Sequence, residues 1–423
     1  MGTVKKSAMT ILCWFCICTN VYAEGVPDFN STKLTGDWGG ERTKLAEEGI
    51  TVDIDAVQSY QGVLNGGTDQ TWQYGGSVDL TLKLDFQKMG LWPGAFIDAR
   101  VENQFGNFVN NGTGALLPAN MDGISPLPDY HKVAVPHFVF TQFLSKSFGV
   151  FFGKISTLDG DNNYFAGKRG KEQFMNQNFV LNPVAIRSAP LSALGGGMVF
   201  VLPDVYAKRP ATVSFMVLGS NGVPNEIGWD DDFEDGESYA TEIKLPTEFF
   251  GKEGAHTFGA AYNNKDVAIL DQDPRFILGT ILGLPVTAQR EKGTWAFYYN
   301  FHQYLYTEEQ DKTQGFGLFG RYGIADDKAC PIASFYSIGL GGKGLLYSRD
   351  NDTYGVGYFY AVLSDKLPNL VSRFFGDSQG FEAFYNIEIT KWLHLTPDFQ
   401  IINPSNERVD TAYVAGIRAR IDF

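Results

Sequence analysis

What most constrains this chain is a two-residue rhythm, apolar on one face and charged on the other, that begins at Ile50 and runs to the last residue. At the carboxy-terminus Tyr413, Ala415, Ile417, Ala419, Ile421 and Phe423 share one face of an extended strand, and Gly416, Arg418, Arg420 and Asp422 share the other. Val78, Leu80, Leu82 and Leu84 likewise oppose Asp79, Thr81, Lys83 and Asp85, and Ile97, Ala99 and Val101 oppose Asp98, Arg100 and Glu102. A strand of a soluble sandwich has the same period, but a soluble core would need a partner for every one of those charges. A water-filled lumen would not. After Ala23 no apolar run approaches the roughly 18 residues of a spanning helix. If the chain crosses a membrane, it must do so as strands closed into a barrel, the one sheet that leaves no unpaired edge in lipid.

The same rule predicts an all-β transmembrane antiparallel barrel of about sixteen strands. Three begin near 50, 78 and 97. The others lie near 135–143, 149–155, 196–203, 211–219, 238–245, 255–262, 294–305, 315–323, 333–340, 353–361, 381–389, 393–401 and 411–423, with alternation weakest near 138, 150 and 198. Connections taken alternately fall into a short set, such as 144–148 and 390–392, and a set holding the long stretches 106–134, 156–195 and 263–293. Short periplasmic turns alternating with longer external loops would sort them this way. Trp92, Tyr130, Trp295, Tyr304, Tyr306 and Trp392 fall near strand ends, where amphipathic rings suit the headgroup boundary, although aromatic residues are common in strands generally.

The amino-terminus reads as a secretory signal over residues 1–23: Lys5 and Lys6, an apolar core from Ala8 to Cys18, and Val21-Tyr22-Ala23 at the cut. Cys13, Cys16 and Cys18 go with it, so Cys330 alone remains and no disulfide can form within one mature chain. Loss of the two lysines takes the formal charge from -14 to -16, which argues against a nucleic-acid partner and for a solvated acidic surface. Residues 24–49 read as a periplasmic segment with one short helix, Asp37 as its N-cap and Gly49 as its stop, capping the barrel over residues 50–423.

Three motifs mislead. Gly339-Leu340-Gly341-Gly342-Lys343-Gly344 spells a dinucleotide fingerprint, but no helical period follows it. Asp159, Asp161 and Asn163 have calcium-loop spacing, but Tyr164 stands where the turn glycine should be. The acidic cluster from Asp230 to Glu237 reads as a solvated face. No metal or other cofactor is therefore expected. His131, His137, His256, His302 and His394 are the only histidines, and none stands in a nucleophile, base and acid signature, so an enzyme is not expected either.

Asp37-Trp38-Gly39-Gly40-Glu41-Arg42 resembles the opening of the carbohydrate-selective porin family of Gram-negative outer membranes, the OprB type. The likeness continues through Gly153-Lys154-Ile155, Thr157-Leu158-Asp159, Phe165-Ala166-Gly167-Lys168-Arg169-Gly170, Gln173-Phe174-Met175-Asn176, Gly355-Val356-Gly357-Tyr358-Phe359-Tyr360, Phe384-Tyr385-Asn386 and Leu395-Thr396-Pro397-Asp398-Phe399-Gln400. The order and spacing of these strings, more than any one of them, carry the resemblance over nearly the whole mature chain. It implies a monomeric or homotrimeric barrel in the outer membrane that lets glucose and related small sugars diffuse without an energy source. It also implies outer-membrane lipid and the barrel-assembly machinery as partners, the latter reading the terminal Phe423. Alternatives are a general or ion-selective diffusion porin and, more remotely, a barrel enzyme or a structural or adhesive barrel.

Alternation and loop length supply the candidate passage residues. Asp98, Arg100, Glu102, Glu242, Arg321, Glu382, Asp398, Arg418 and Arg420 are expected on inward faces, where mixed charge would replace the water of a sugar. The long stretch 156–195 is expected to fold into the pore, with Lys154, Lys168, Arg169 and Arg187 lining the narrowing. Tyr164, Phe165 and Trp229 are candidate stacking rings, each of which could equally cover a neighbouring loop.

Overall fold

The computed structural model describes residues 31–423 apart from 125–132, 160, 207–208, 225–226, 228–231, 274, 277–279, 281 and 369–371. The expected leader 1–23, Tyr130, His131 and Trp229 therefore lie outside the described residues. Sixteen antiparallel strands form one closed barrel in which each strand pairs with its neighbours in sequence and β16 closes on β1. They are β1 (Ile50–Asn65), β2 (Trp72–Asp85), β3 (Ala95–Gly106), β4 (Val133–Ser145), β5 (Phe148–Ser156), β6 (Ser192–Tyr206), β7 (Arg209–Gly219), β8 (Glu237–Phe249), β9 (Lys252–Ala268), β10 (Arg290–Thr307), β11 (Gly315–Ala325), β12 (Ile332–Lys343), β13 (Thr353–Leu363), β14 (Ser378–Thr390), β15 (Leu393–Asn403) and β16 (Ala412–Asp422).

The seam sets the register. Ser59 faces Arg418 and Gly62 faces Ala415, so β16 presents Tyr413 and Ile417 outward while Val414 and Arg418 are buried inward. Exposed Tyr60, Leu80, Phe152, Phe297 and Ile338 continue the outward belt, as apolar side chains on the lipid face of a barrel must. The weakly alternating β4 and β5 obey the same rule: Phe138 and Phe152 are exposed, while Val139 and Ile155 pack inward.

The amino-terminal segment is tied across the seam. A single 3-10 turn (Trp38–Gly40) leads into helix α1 (Glu41–Glu47). The Asp37 carboxylate accepts from the Thr43 backbone N–H at 2.9 Å, and Gly49, at φ +91°, turns the chain into β1. Leu34 N–H donates to the Asp422 carbonyl, Phe423 N–H donates to Ile54, and Arg42 Nη1 donates to the Phe423 carbonyl at 3.0 Å. Segment, first strand and last strand thus meet at one rim.

Candidate functional site: an inserted loop and the passage beside it

The connection from β5 to β6, residues 157–191, folds into the barrel and crosses to the far wall. Three of its phenylalanines seat over glycines of the wall, flanked by Phe319, Phe359 and Phe384. On the inward faces of β11 to β13 stand Gly317, Gly341, Gly355 and Gly357. A Cβ at Gly341 would lie 2.7 Å from Phe165, at Gly355 2.8 Å from Phe174, and at Gly357 2.6 Å from Phe179. Phe165, Phe174 and Phe179 are all buried, and each such ring contributes about 1.5–3 kcal/mol by leaving water.

Polar anchors complete the attachment. Glu382 on β14 accepts the backbone N–H groups of Met175 and Asn176, at 2.5 and 3.0 Å. Arg321 on β11 donates Nε and Nη2 to Asp161 at 2.9 and 2.8 Å, and Arg418 on β16 donates to the Gly170 carbonyl at 2.6 Å. Arg420 pairs with Glu172. Arg100 on β3 holds both oxygens of Asp159 at 2.9 Å. Arg169 lies 3.3 Å from Asp79 and also pairs with Glu102, while Lys171 bonds Asp79 at 2.5 Å.

A second connection helps. In the described part of the β3 to β4 loop, Asn120 donates to Ser59 and Gln61, Asp122 accepts from Ser77 at 2.8 Å, and the Ala119 carbonyl accepts from Gln400. Met121 N–H donates to the Met175 carbonyl, so the two inserted loops brace each other.

The electrostatics keep three of the inserted loop's own anchors, Asp159, Lys171 and Glu172, ionised. Burial opposes charge on Asp159, but Arg169 and Arg100 outweigh it and hold the carboxyl well below the usual carboxylate range. Burial also opposes charge on Lys171, where Asp79, Asp122 and Glu102 prevail and raise it, and on Glu172, which Arg420 and Lys168 hold low.

The inserted loop fills the side of the lumen nearest β11 to β15 and leaves the other side open. Two cavities of about 490 and 530 Å³ lie there and share Asp98, His137, Leu158, Asp159 and Asp161. The larger is walled by charges of both signs, among them Asp53, Asp55, Lys83, Lys168 and Arg420. The other has an apolar side made by Ile155, Leu158, Leu181, Ile186 and Leu191, facing Glu242, Lys244 and Tyr298. The Tyr298 hydroxyl donates to Glu242 at 3.0 Å, and Lys244 lies 3.1 Å from Glu242.

A family model described as carbohydrate-selective porin, OprB family, matches residues 69–423. The chain belongs to that family. It is similar to Porin B of Pseudomonas aeruginosa, 22% identical over 93% of this chain and 92% of that protein. It is also similar to a putative porin, QuiX, of Acinetobacter baylyi, 23% identical over 92% of this chain and 93% of that one. Among solved structures, the high-pH structure of Pseudomonas putida OprB superposes with a TM-score of 0.79 at 19% identity, covering 94% of this chain and 100% of that one. This porin therefore belongs in the outer membrane of a Gram-negative bacterium.

The residues expected on its passage wall divide. Asp98, Lys168 and Glu242 face the two open cavities, Tyr164 faces a third, smaller one between the loop and β7 to β10, and Arg100, Arg169 and Arg420 border the larger while bonded to carboxylates. Glu102, Arg321, Glu382, Asp398 and Arg418 do point inward from the wall, but the inserted loops cover them, and Phe165, on the inserted loop itself, is buried against Gly317 and Gly341. They hold a loop or its neighbours and have almost no surface to offer a solute. Lys154 is a correction of another kind. It sits opposite Phe138 in the ladder and shares the face of Phe152, both exposed on the outside of the barrel, so this buried lysine belongs to the outer side of the wall. Arg187, at the end of the 3-10 turn Pro183–Arg187, is exposed but lines neither large cavity.

Asp79, Asn120, Asp122 and the seat for Phe174 and Phe179 were not singled out by the sequence. The inward glycines of β11 to β13 were the available signal, because a lumen wall repeatedly stripped of side chains implies that something else fills the space.

Proposed function

We propose that small neutral sugars, glucose among them, diffuse through the open side of this porin's lumen. The observation that carries the reading is the contrast between its two walls. Acidic and basic side chains stand together along β1, β2, β3 and β16, and an apolar patch from Ile155 to Leu191 stands at the other cavity. A pyranose has hydroxyls that need both donors and acceptors and C–H faces that need neither. Charges of both signs at close range also keep the net potential low, so a neutral solute is not displaced by counter-ions.

Proteoliposomes give the test. Swelling in glucose should exceed swelling in sugar acids or amino sugars of similar size, and glucose should reduce ionic current in a planar bilayer. Equal rates for neutral and charged solutes, with current indifferent to glucose, would establish a general diffusion porin instead.

We read the porin as non-catalytic. His302 packs on Tyr164, His256 Nδ1 meets the Tyr299 hydroxyl at 2.6 Å, His394 Nδ1 lies 3.1 Å from Asn386, and His137 Nδ1 accepts the Ser156 backbone N–H at 3.2 Å. Each has a structural employment. Each barrel carries its own passage, so transport does not depend on whether it stands alone or in a trimer. Phe423 is the residue we assign to recognition by the assembly machinery, and deleting it should slow insertion without altering the conductance of barrels that do insert.

A further inference from the structure

We propose that Tyr164 and His302 form a second carbohydrate subsite, on the periplasmic side of the narrowing made by Arg100 and Asp159. The proposal rests on the sugar-porin reading above. A separate cavity of about 290 Å³ lies between the inserted loop and strands β7 to β10, and meets the two larger ones at Asp161. His302 lies toward the end of β10 that turns into β11, and Arg209 is the first residue of β7. Both therefore sit toward the rim of the short turns, which is the periplasmic rim of an outer-membrane barrel.

Tyr164 is the unusual residue. It is 47% exposed, although the residue after it, Phe165, is only 4% exposed beneath the loop. Its backbone is pinned from both sides. Asn163 Oδ1 accepts the N–H groups of Phe165 and Ala166, Asn163 Nδ2 donates to the Phe301 carbonyl at 3.0 Å, and the Tyr164 carbonyl accepts from Gln173 Nε2 at 2.6 Å. One face of the ring lies against His302, with centroids 4.1 Å apart and planes 33° apart. A rigidly mounted ring, backed on one side and half exposed in a lumen, is pre-organised to cover the C–H face of a pyranose.

The polar side of the subsite is also present. His302 is 7% exposed, lines the cavity, and its Nε2 is a buried nitrogen without a hydrogen-bond partner in the structure. A sugar hydroxyl there would satisfy it, whichever tautomer the ring holds. Asp161, Asn162, Lys244 and Arg209 ring the same cavity with donors and acceptors for the remaining hydroxyls. Two weak sites in series also suit transport, because a solute must bind well enough to enter and weakly enough to leave.

Glucose block of ionic current in oriented single channels tests this, with Tyr164→Ala, Tyr164→Phe and His302→Phe compared with the parent and folding checked by circular dichroism. Tyr164→Ala should weaken block by periplasmic glucose about fivefold and shorten each blocking event, and Tyr164→Phe should keep most of the block because the ring remains. His302→Phe keeps the ring behind Tyr164 but removes the nitrogen, and should weaken block about threefold. If the parent channel is blocked by glucose and both Tyr164→Ala and His302→Phe are blocked equally well, the subsite is refuted while the sugar-porin reading stands. If the parent channel is not blocked from either face, the sugar reading itself falls, and the subsite with it.

Discussion

Arg100 donates Nη1 to Asp159 Oδ1 and Nη2 to Asp159 Oδ2, both at 2.9 Å, and so fastens β3 to the point where the chain leaves β5 and enters the lumen. The pair is bidentate, the strongest common geometry for a carboxylate and a guanidinium. It also stands where the two larger cavities meet, so it is at once an anchor and part of the narrowing.

Breaking this pair should therefore change conductance before it changes folding. Asp159→Asn is expected to raise single-channel conductance, because the loop tip loses its charged tie and Arg100 is released. The pH dependence has a definite sign. A carboxyl whose pKa is depressed on folding contributes stability above its unfolded pKa, roughly 3.9, and loses that contribution only as pH falls through the lower folded value. Asp159 is held low, so the difference in conductance between the parent and Asp159→Asn should stay level as pH is taken from 7 to about 4. A step near pH 4 that Asp159→Asn abolishes would contradict this assignment.

Glu382 gives a second handle on the same loop. It accepts two backbone N–H groups, from Met175 and Asn176, in a site closed to water. Glu382→Ala leaves both donors buried and unsatisfied, at about 1–3 kcal/mol each. Open-channel noise should rise as the loop detaches intermittently, and the barrel should unfold at lower temperature in gel-shift assays. A quiet channel of parental stability would show that the loop is held without it.

The glycine seats can be filled directly. Gly355→Val adds a side chain where a Cβ already meets Phe174 at 2.8 Å, with Phe384 also in contact at 2.6 Å. Outward residues of β13 are untouched, so insertion into membranes should survive while the loop is pushed off its seat and the pore widens. The complementary change, Phe174→Ala, removes a fully buried ring and should cost about 3–5 kcal/mol. Conductance equal to that of the parent in both variants would mean that the loop does not restrict flow.

On β16, thiol labelling separates facing inward from facing water. Arg418 and Arg420 share the inward side, yet Arg418 is 1% exposed beneath the Gly170 carbonyl while Arg420 borders the open cavity. A cysteine at 420 should react with a charged thiol reagent and one at 418 should not. Labelling of 418 alone would place the loop elsewhere.

At the seam, Arg42→Ala removes the donor to the Phe423 carbonyl and should lower the stability of the closed barrel by about 1 kcal/mol, read as an earlier heat-induced gel shift. The small size of the effect follows from the ladder, since β1 and β16 remain paired from Asp55 and Asp422 to Asn65 and Tyr413.

The alternation of β16 alone was enough to give its two faces, because side-chain direction in a strand is fixed by position and needs no knowledge of neighbours. Repeated along the chain, that local rule also gave the strand number, the closed architecture and the order of short and long connections. What it could not supply was whether an inward residue meets water or protein. Glu102, Glu382 and Arg418 look like Asp98 in the sequence, and only the path of residues 157–191 buries the first three and leaves Asp98 facing the open cavity. That path is decided by matches between distant places: Phe174 with Gly355, Arg321 with Asp161, Lys171 with Asp79. Each partner is unremarkable within its own segment. A strand's face is therefore determined by the sequence itself, whereas the shape of the passage depends on where a loop finds room and opposite charge inside the closed wall, which exists only once the wall has closed.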